Sequence, residues 1–293
     1  MRACLIINPA AGRGTGRARG PAIAAYLAEL GVATRVLYSQ AVGDVGLQVK
    51  QQLATHPDVV IVAGGDGSVH EAVNGWMQAG GGAPLAIVPV GTGNDFTKML
   101  SSDPDWREAC RRIAHGQTRS IDIGRCNDFY FANTLGIGFD AQVAMAAGRV
   151  QYLRGNLVYA VALLQTLLFA HQTPVVRVSH AGVTLATPIT LVAVNNGRVE
   201  GGAFVVAPDA QIDDGLLDVV VAGGLSRLGI LMLVPKVLRG THIQHRAVTK
   251  FQTDKLQIES ESGLPVHADG EIRYTDVKQL DIEILPRRLK IVA

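Results

Sequence analysis

VVIVAGGDGSVHEAVNG, Val59 to Gly75, is the most informative stretch of this chain. Its first residues are β-branched or small and wholly apolar, which reads as a buried strand. The strand stops at Gly64, Gly65, Asp66 and Gly67, and the spacing beyond predicts a helix from Ser68. Glycines let a backbone approach a ligand closely and adopt positive φ. A helix N-terminus adds free N–H groups and the positive end of a dipole, which suits phosphate. Asp66 sits in the middle, placed to hold a metal ion or to organise the loop. The expectation is a nucleotide triphosphate site.

Working outward, the surrounding residues repeat the pattern. ACLII, VATRVLY, DVVIVA and PLAIVPV are strand candidates, separated by helical spacing over Pro21 to Gly31, Gly43 to Leu53 and the helix from Ser68. Pro21 suits the first turn of its helix. Trp106 to Ile113 is a further helix. Strands alternating with helices predict a parallel sheet covered on both faces. Ligands of such sheets bind outside the carboxyl ends of the strands. Three glycine-rich turns, Gly12–Gly16, Gly64–Gly67 and Gly91–Gly93, follow strands there.

Past about Asp122 the texture changes to strand-like runs split by Gly, Asn, Asp and Pro. Helical stretches interrupt them only near 152–170 and 226–239. That pattern predicts an antiparallel β-sandwich domain. The expected division is an α/β domain over residues 1–124 and a β-sandwich over 125–285, with strand 286–293 free to return to the first.

Composition narrows the function. The 293 residues are 48% hydrophobic with a net charge of +2, too little for a protein that binds nucleic acid through a strong basic face. Cys4, Cys110 and Cys126 are too scattered for a disulfide framework or a zinc site. They fit small buried hydrophobes in a reducing cytoplasm. No secretory signal is visible. The longest apolar helical run, Leu157 to Ala170, is shorter than the roughly 20 residues of a membrane span. No glycine is followed by Lys-Ser or Lys-Thr, which excludes a Walker A loop. Gly136, Gly138 and Ala141 match a dinucleotide pattern, but no acid stands about 20 residues on.

What remains resembles the diacylglycerol kinase catalytic-domain family, which includes soluble bacterial lipid kinases and sphingosine kinases. The resemblance rests on Asn8-Pro9 with Gly12, on GGDGS with Glu71 and Asn74, and on Pro89-Val90-Gly91-Thr92-Gly93-Asn94-Asp95-Phe96. It continues through Asp122-Ile123-Gly124, Gly138-Phe139-Asp140, Asp214-Gly215 and Asp269-Gly270-Glu271, in the family's order. The resemblance implies an NAD kinase- and phosphofructokinase-like α/β domain, then a β-sandwich, with the active site in the interdomain cleft. It also implies that Asn8, Pro9, Gly12, Ser39, Gly64, Gly65, Asp66, Gly67, Ser68, Glu71, Gly91, Thr92, Gly93 and Asn94 line an ATP site. Ser39 and Ser68 stand where the family usually has threonine, and both keep the hydroxyl.

Phosphoryl transfer is mostly positioning and charge neutralisation. Mg²⁺ takes hard oxygen ligands, and Asp66, Asp95 and Asp122 are the candidates near converging strand ends. The general base must reach the acceptor hydroxyl, and Asp269 and Glu271 are the candidates. Read as one strand, VHADGEIRY puts both on one face unless Gly270 makes a bulge. The resemblance places Asp269 in the catalytic network and makes Glu271 the proton acceptor. Asp-Gly is equally common turn chemistry. The resemblance further implies a structural Mg²⁺ on the Gln211 backbone, the Asp214 side chain and the Leu216 backbone.

Between Asp140 and Glu200 there is no acidic residue. The interval holds Arg149, Arg154, Arg177, Arg198 and the apolar helix LVYAVALLQTLLFA. Such a surface suits an anionic membrane. The same helix also reads as a core element. The resulting expectation is a cytoplasmic lipid kinase, peripheral to the inner face of the membrane, that transfers the γ-phosphate of ATP to diacylglycerol. Phosphatidylglycerol, a sphingoid base, a soluble acceptor as in NAD kinases, and a non-catalytic sensor are the alternatives. A homodimer stays open.

Overall fold

The computed structural model describes residues 2–101, 103, 105–149 and 156–293; Arg154 and the start of the helical stretch expected near 152–170 lie outside them. The chain divides into one unit of Met1–Ile123 with Arg287–Ala293 and a second of Gly124–Pro286.

The first unit runs β1 (Ala3–Ile7), α1 (Ala11–Glu29), β2 (Thr34–Tyr38), α2 (Asp44–Leu53), β3 (Val59–Gly64), α3 (Asp66–Gln78), β4 (Leu85–Pro89), α4 (Asp95–Leu100), α5 (Trp106–His115) and the start of β5 (Thr118–Cys126). The strands lie parallel in the order β2-β1-β3-β4. Ile291, from residues 287–293, pairs in parallel with Leu85 beyond β4. The apolar runs of β1, β3 and β4 are buried throughout, as a sheet covered on both faces requires. Leu5, Ile7, Ile61 and Val88 pack with Ile23 and Leu27 of α1 and Ile113 of α5. Each such side chain contributes about 1.5–3 kcal/mol over leaving it exposed.

Two helix starts differ from the sequence expectation. Pro21 lies inside α1, which begins at Ala11 and is interrupted by left-handed residues at Gly12, Arg13 and Gly14. Pro21 faces solvent, where the ring is tolerated. Helix α3 begins at Asp66 with Gly65 as its cap, so the Gly-Asp-Gly-Ser run is its first turn. An acidic first residue is favourable there because it faces the positive dipole end.

In the second unit come the end of β5, β6 (Phe129–Phe131), β7 (Thr134–Gly138), α6 (Phe139–Arg149), α7 (Asn156–Phe169), β8 (Val175–His180) and β9 (Val183–Asn195). Then follow β10 (Val199–Glu200), β11 (Phe204–Val205), β12 (Leu217–Gly223), α8 (Arg227–Val237), a 3₁₀ turn (Thr241–Gln244), β13 (Val248–Thr253), β14 (Lys255–Ala268) and β15 (Glu271–Val292), which crosses into the first unit at Arg287. Pairing is antiparallel throughout. The long strands β9 and β14 each pair with β8 at one end and β7 at the other. Their inward residues form one core that includes Phe131, Ile137, Val192, Val219, Ile258 and Leu280. Helix α6 departs from the sequence expectation, which read DFYFANTLGIGFDA as strand to its end. The chain leaves β7 at Gly138, φ +85, and Phe139 opens the helix directly.

The three cysteines are free and buried, and burial pushes the thiols of Cys110 and Cys126 up to about 12. At that value neither offers a thiolate nucleophile near neutral pH.

Candidate functional site

In the first unit the three glycine-rich turns come together. The order β2-β1-β3-β4 makes the β1/β3 boundary the switch point, and the crevice beyond it is where ligands of open α/β sheets bind. Asn8 leaves β1 with its Oδ1 accepting the Ala10 N–H at 2.9 Å, while its Nδ2 donates to Ser68 Oγ at 2.9 Å. That side chain ties the first turn to the second. The second and third turns meet backbone to backbone: a Cβ on Gly91 would sit 2.5 Å from Gly65 Cα. Asn94 closes its own turn, accepting from Gly91 N–H at 3.1 Å and donating to the Gly91 carbonyl at 3.0 Å. Ser39 ends β2 at the same edge, its N–H bonded to the Ile7 carbonyl at 3.0 Å. Pro9 and Thr92 belong to the same turns, half-buried and exposed respectively.

Asp66 reaches across to the third turn. Its Oδ1 accepts the N–H of Asp95 at 2.7 Å. Burial, and then the neighbouring Asp95 carboxylate, push Asp66 up to about 6. Asp95 is itself buried, with Oδ1 2.8 Å from Lys98 Nζ. Two adjacent carboxylates, one of them pushed above its ordinary range by burial, suit a cation, which would offset the charge that burial disfavours. At Gly12 and Gly14 the positive φ angles, +58 and +97, form a tight left-handed turn of the kind that cradles anions.

Two predicted residues also hold backbone. Glu71 caps α2: its Oε1 accepts the Gly43 N–H at 2.7 Å and its Oε2 the Val45 N–H at 3.1 Å. Asp122 is fully buried, and its Oδ1 accepts the Arg287 N–H at 2.6 Å. Its carboxylate anchors the returning segment.

In the second unit, Asp269 and Gly270 form a two-residue turn between β14 and β15, with φ +52 and +87. Both values are those of a type I′ hairpin turn, for which Asp-Gly is a preferred pair. This corrects the reading of VHADGEIRY as one strand: Asp269 is in the turn and Glu271 is the first residue of the return strand. The Asp269 carboxylate accepts three backbone N–H groups, from Ala132 at 3.1 Å, Asn133 at 2.8 Å and Thr134 at 3.1 Å. Glu271 is exposed.

Beside this turn is a cluster to which the sequence reading gave no role. His267, Asp140 and Glu200 are the one group of three or more acidic, His or Cys side chains, among the described residues, whose ligand atoms all lie within 4.8 Å of one another. His267 Nε2 is 2.9 Å from Glu200 Oε1 and 3.2 Å from Asp140 Oδ2, and Nδ1 faces the Gly270 N–H at 3.2 Å. Asp140 and Glu200 bound the acid-free interval, and that was the available signal: two acids isolated in sequence meet in space. Gln211, Asp214 and Leu216 lie on a loop where Asp214 Oδ1 accepts the Leu216 N–H at 3.0 Å. That bond commits one carboxylate oxygen to the turn.

This arrangement is that of a lipid kinase fold, and comparison with known proteins agrees. Residues 2–126 match the profile of the diacylglycerol kinase catalytic domain, and residues 133–293 that of the YegS C-terminal NAD kinase beta sandwich-like domain. The chain belongs to the diacylglycerol kinase-like lipid kinase family and is a phosphotransferase. It is 28% identical over 295 residues to a diacylglycerol kinase of Mycobacterium tuberculosis, covering 98% of this chain and 93% of that one. It is 30% identical over 249 residues to a YegS-like protein of Shewanella frigidimarina, named as a probable lipid kinase, covering 83% and 79%. A solved structure of a candidate diacylglycerol kinase from Bacillus anthracis superposes with a TM-score of 0.82 at 26% identity, covering 99% of this chain and 94% of that chain.

Proposed function

We propose that the protein transfers the γ-phosphate of ATP to the hydroxyl of a lipid such as diacylglycerol, with Mg²⁺. The observation that carries the nucleotide half is the convergence of three glycine-rich turns on the β1/β3 switch point, with Asp66 and Asp95 side by side. Asn8, Gly12, Ser39, Gly65, Ser68, Gly91 and Thr92 supply small residues, hydroxyls and backbone N–H groups for the phosphates. Asp66 and Asp95 would hold Mg²⁺, which when bound neutralises charge on the β- and γ-phosphates. Asp214 Oδ2, with the Gln211 and Leu216 carbonyls, would hold a second, structural ion. On the acceptor side, Glu271 is the proton acceptor, exposed and free of the turn. Asp269 organises the backbone from which Glu271 emerges.

A membrane surface is the proposed meeting place with the lipid. Exposed apolar side chains gather on two helices: Leu164, Leu168 and Phe169 on α7, and Leu228, Leu231 and Met232 on α8. The helices are joined, because the Arg227 guanidinium donates to the Leu168 carbonyl at 3.2 Å and Leu167 and Ile230 share a small core. Neither interval holding them, Asp140 to Glu200 or Asp218 to Asp254, contains an internal acid. Lys236 and Arg239 lie exposed toward the end of α8. An apolar, acid-free face with basic residues suits the anionic inner leaflet. No helix among the described residues is long and apolar enough to cross a membrane.

The test is label transfer from γ-labelled ATP to a lipid panel in mixed micelles with Mg²⁺, using Glu271→Gln as the control. Label in one lipid, lost in the control, supports the reading and names the acceptor. Label only in a soluble acceptor such as NAD would replace the lipid assignment.

A further inference from the structure

His267 lies on β14, fully buried, with both ring nitrogens engaged. A backbone N–H can only donate, so Nδ1, 3.2 Å from the Gly270 nitrogen, presents its lone pair. The ring's proton is therefore on Nε2, the nitrogen that faces Glu200 Oε1 at 2.9 Å and Asp140 Oδ2 at 3.2 Å. An ionised carboxylate only accepts, so one proton serves two acids. Burial opposes a second proton on this ring, and Glu200 and then Asp140 favour it, but a proton on Nδ1 would be driven against the Gly270 N–H, so the hydrogen-bond geometry sets the singly protonated form. The cross-strand partner of His267 on β7 is Gly136, where any Cβ would overlap both Nε2 and Asp140 Oδ2. The cluster is built into the register of the sheet.

We propose that His267 is a positioning residue for phosphoryl transfer. Its Nε2 proton draws together Asp140 on α6 and Glu200 on β10. Its Nδ1 holds the Asp269-Gly270 turn from which Glu271 emerges. One ring thus sets two acids and the proposed base as a single unit. The fixed tautomer also directs the cluster away from cation binding, because the nitrogen that would ligate a metal carries the proton. The catalytic part of this proposal rests on the lipid kinase reading; the proton arrangement does not.

Two experiments test it. In ¹⁵N-histidine-labelled protein, long-range ¹H–¹⁵N correlation at pH 7 should show one ring with protonated Nε2 and bare Nδ1, absent from His267→Gln. A doubly protonated ring, an Nδ1–H tautomer, or loss of the Nε2 proton on adding Zn²⁺ or Mn²⁺ would overturn the arrangement. In the kinase assay, His267→Leu should lose about 100-fold in kcat with KM for ATP unchanged, the scale expected of a misplaced catalytic group. His267→Gln keeps an amide donor and should stay within about 10-fold of the parent. Equal losses in the two variants would reduce His267 to packing. Parent protein that labels no lipid would sink the lipid kinase reading and the catalytic part with it, while the nitrogen spectrum still judges the proton arrangement on folded protein.

Discussion

Replacing Asp269 with alanine removes the acceptor of three backbone N–H groups at once, those of Ala132, Asn133 and Thr134. A hydrogen bond to a charged acceptor is worth about 1.5–3 kcal/mol. The three share one half-buried carboxylate and will not add fully, so their joint loss is about 3 kcal/mol. Alanine must also take the φ of +52 that aspartate tolerates, which adds about 1 kcal/mol. The expected cost is about 4 kcal/mol. Asp269→Gly escapes the backbone strain and should cost about 3 kcal/mol. Thermal unfolding reports the total, and amide exchange at Ala132, Asn133 and Thr134 reports the site. An alanine variant within about 0.5 kcal/mol of the parent, with exchange unchanged at those amides, would refute the reasoning and return Asp269 to a chemical role. If the reasoning holds, lost activity in Asp269→Ala does not identify a catalytic carboxylate. Glu271→Gln, at an exposed position, isolates the chemistry instead.

Asp66 gives a pH prediction. Its folded value of about 6 lies above the ordinary 3.8, so the folded state holds the proton more tightly. Stability from this group is greatest below about pH 4, falls as pH rises to about 6, and is lower by about 3 kcal/mol above that. Mg²⁺ should therefore raise the melting temperature more at pH 7.5 than at pH 5; an equal or reversed effect would remove Asp66 from the ion site. Glu71→Ala should destabilise α2 by about 1–2 kcal/mol, as loss of a cap does, with KM for ATP changing less than threefold; a selective rise in KM would restore Glu71 to the nucleotide site. Gly91→Ala forces a Cβ against Gly65 at 2.5 Å, should cost about 1–3 kcal/mol, and should abolish the stabilisation given by ATP. Leu231→Asp with Met232→Asp should cut sedimentation with phosphatidylglycerol-containing vesicles and leave labelling in detergent micelles intact; unchanged sedimentation would remove α8 from the membrane face.

The first unit could be read from its residues because a buried parallel strand has few other interpretations. VVIVA followed by Gly-Gly-Asp-Gly states both the strand and its end. The return of residues 287–293 was visible only as an option, since LKIVA carries no mark of its partner. In the second unit, the start of α6 is hidden because Gly138 turns the chain straight from β7 into Phe139 without a loop to mark the change. Asp269-Gly270 is ambiguous for the opposite reason: the pair suits a turn, but the apolar and polar residues around it also alternate as a strand does. His267 could not have been found by pattern, because its partners at 140 and 200 lie on a helix and a two-residue strand.

Residues 287–293 carry a consequence for how the protein is made. Leu289 and Ile291 are fully buried in the first unit, and the Arg287 N–H is held by Asp122. A ribosome adding about 5–20 residues per second needs on the order of 10–30 s to travel from residue 123 to residue 287. Through that interval β4 waits with an open edge, its N–H and C=O groups unpaired on one side. The first unit to be synthesised is therefore finished last, after the chain for the whole second unit has emerged. A nascent chain halted anywhere in the second unit would expose the same edge, a natural binding place for a chaperone and a starting point for aggregation.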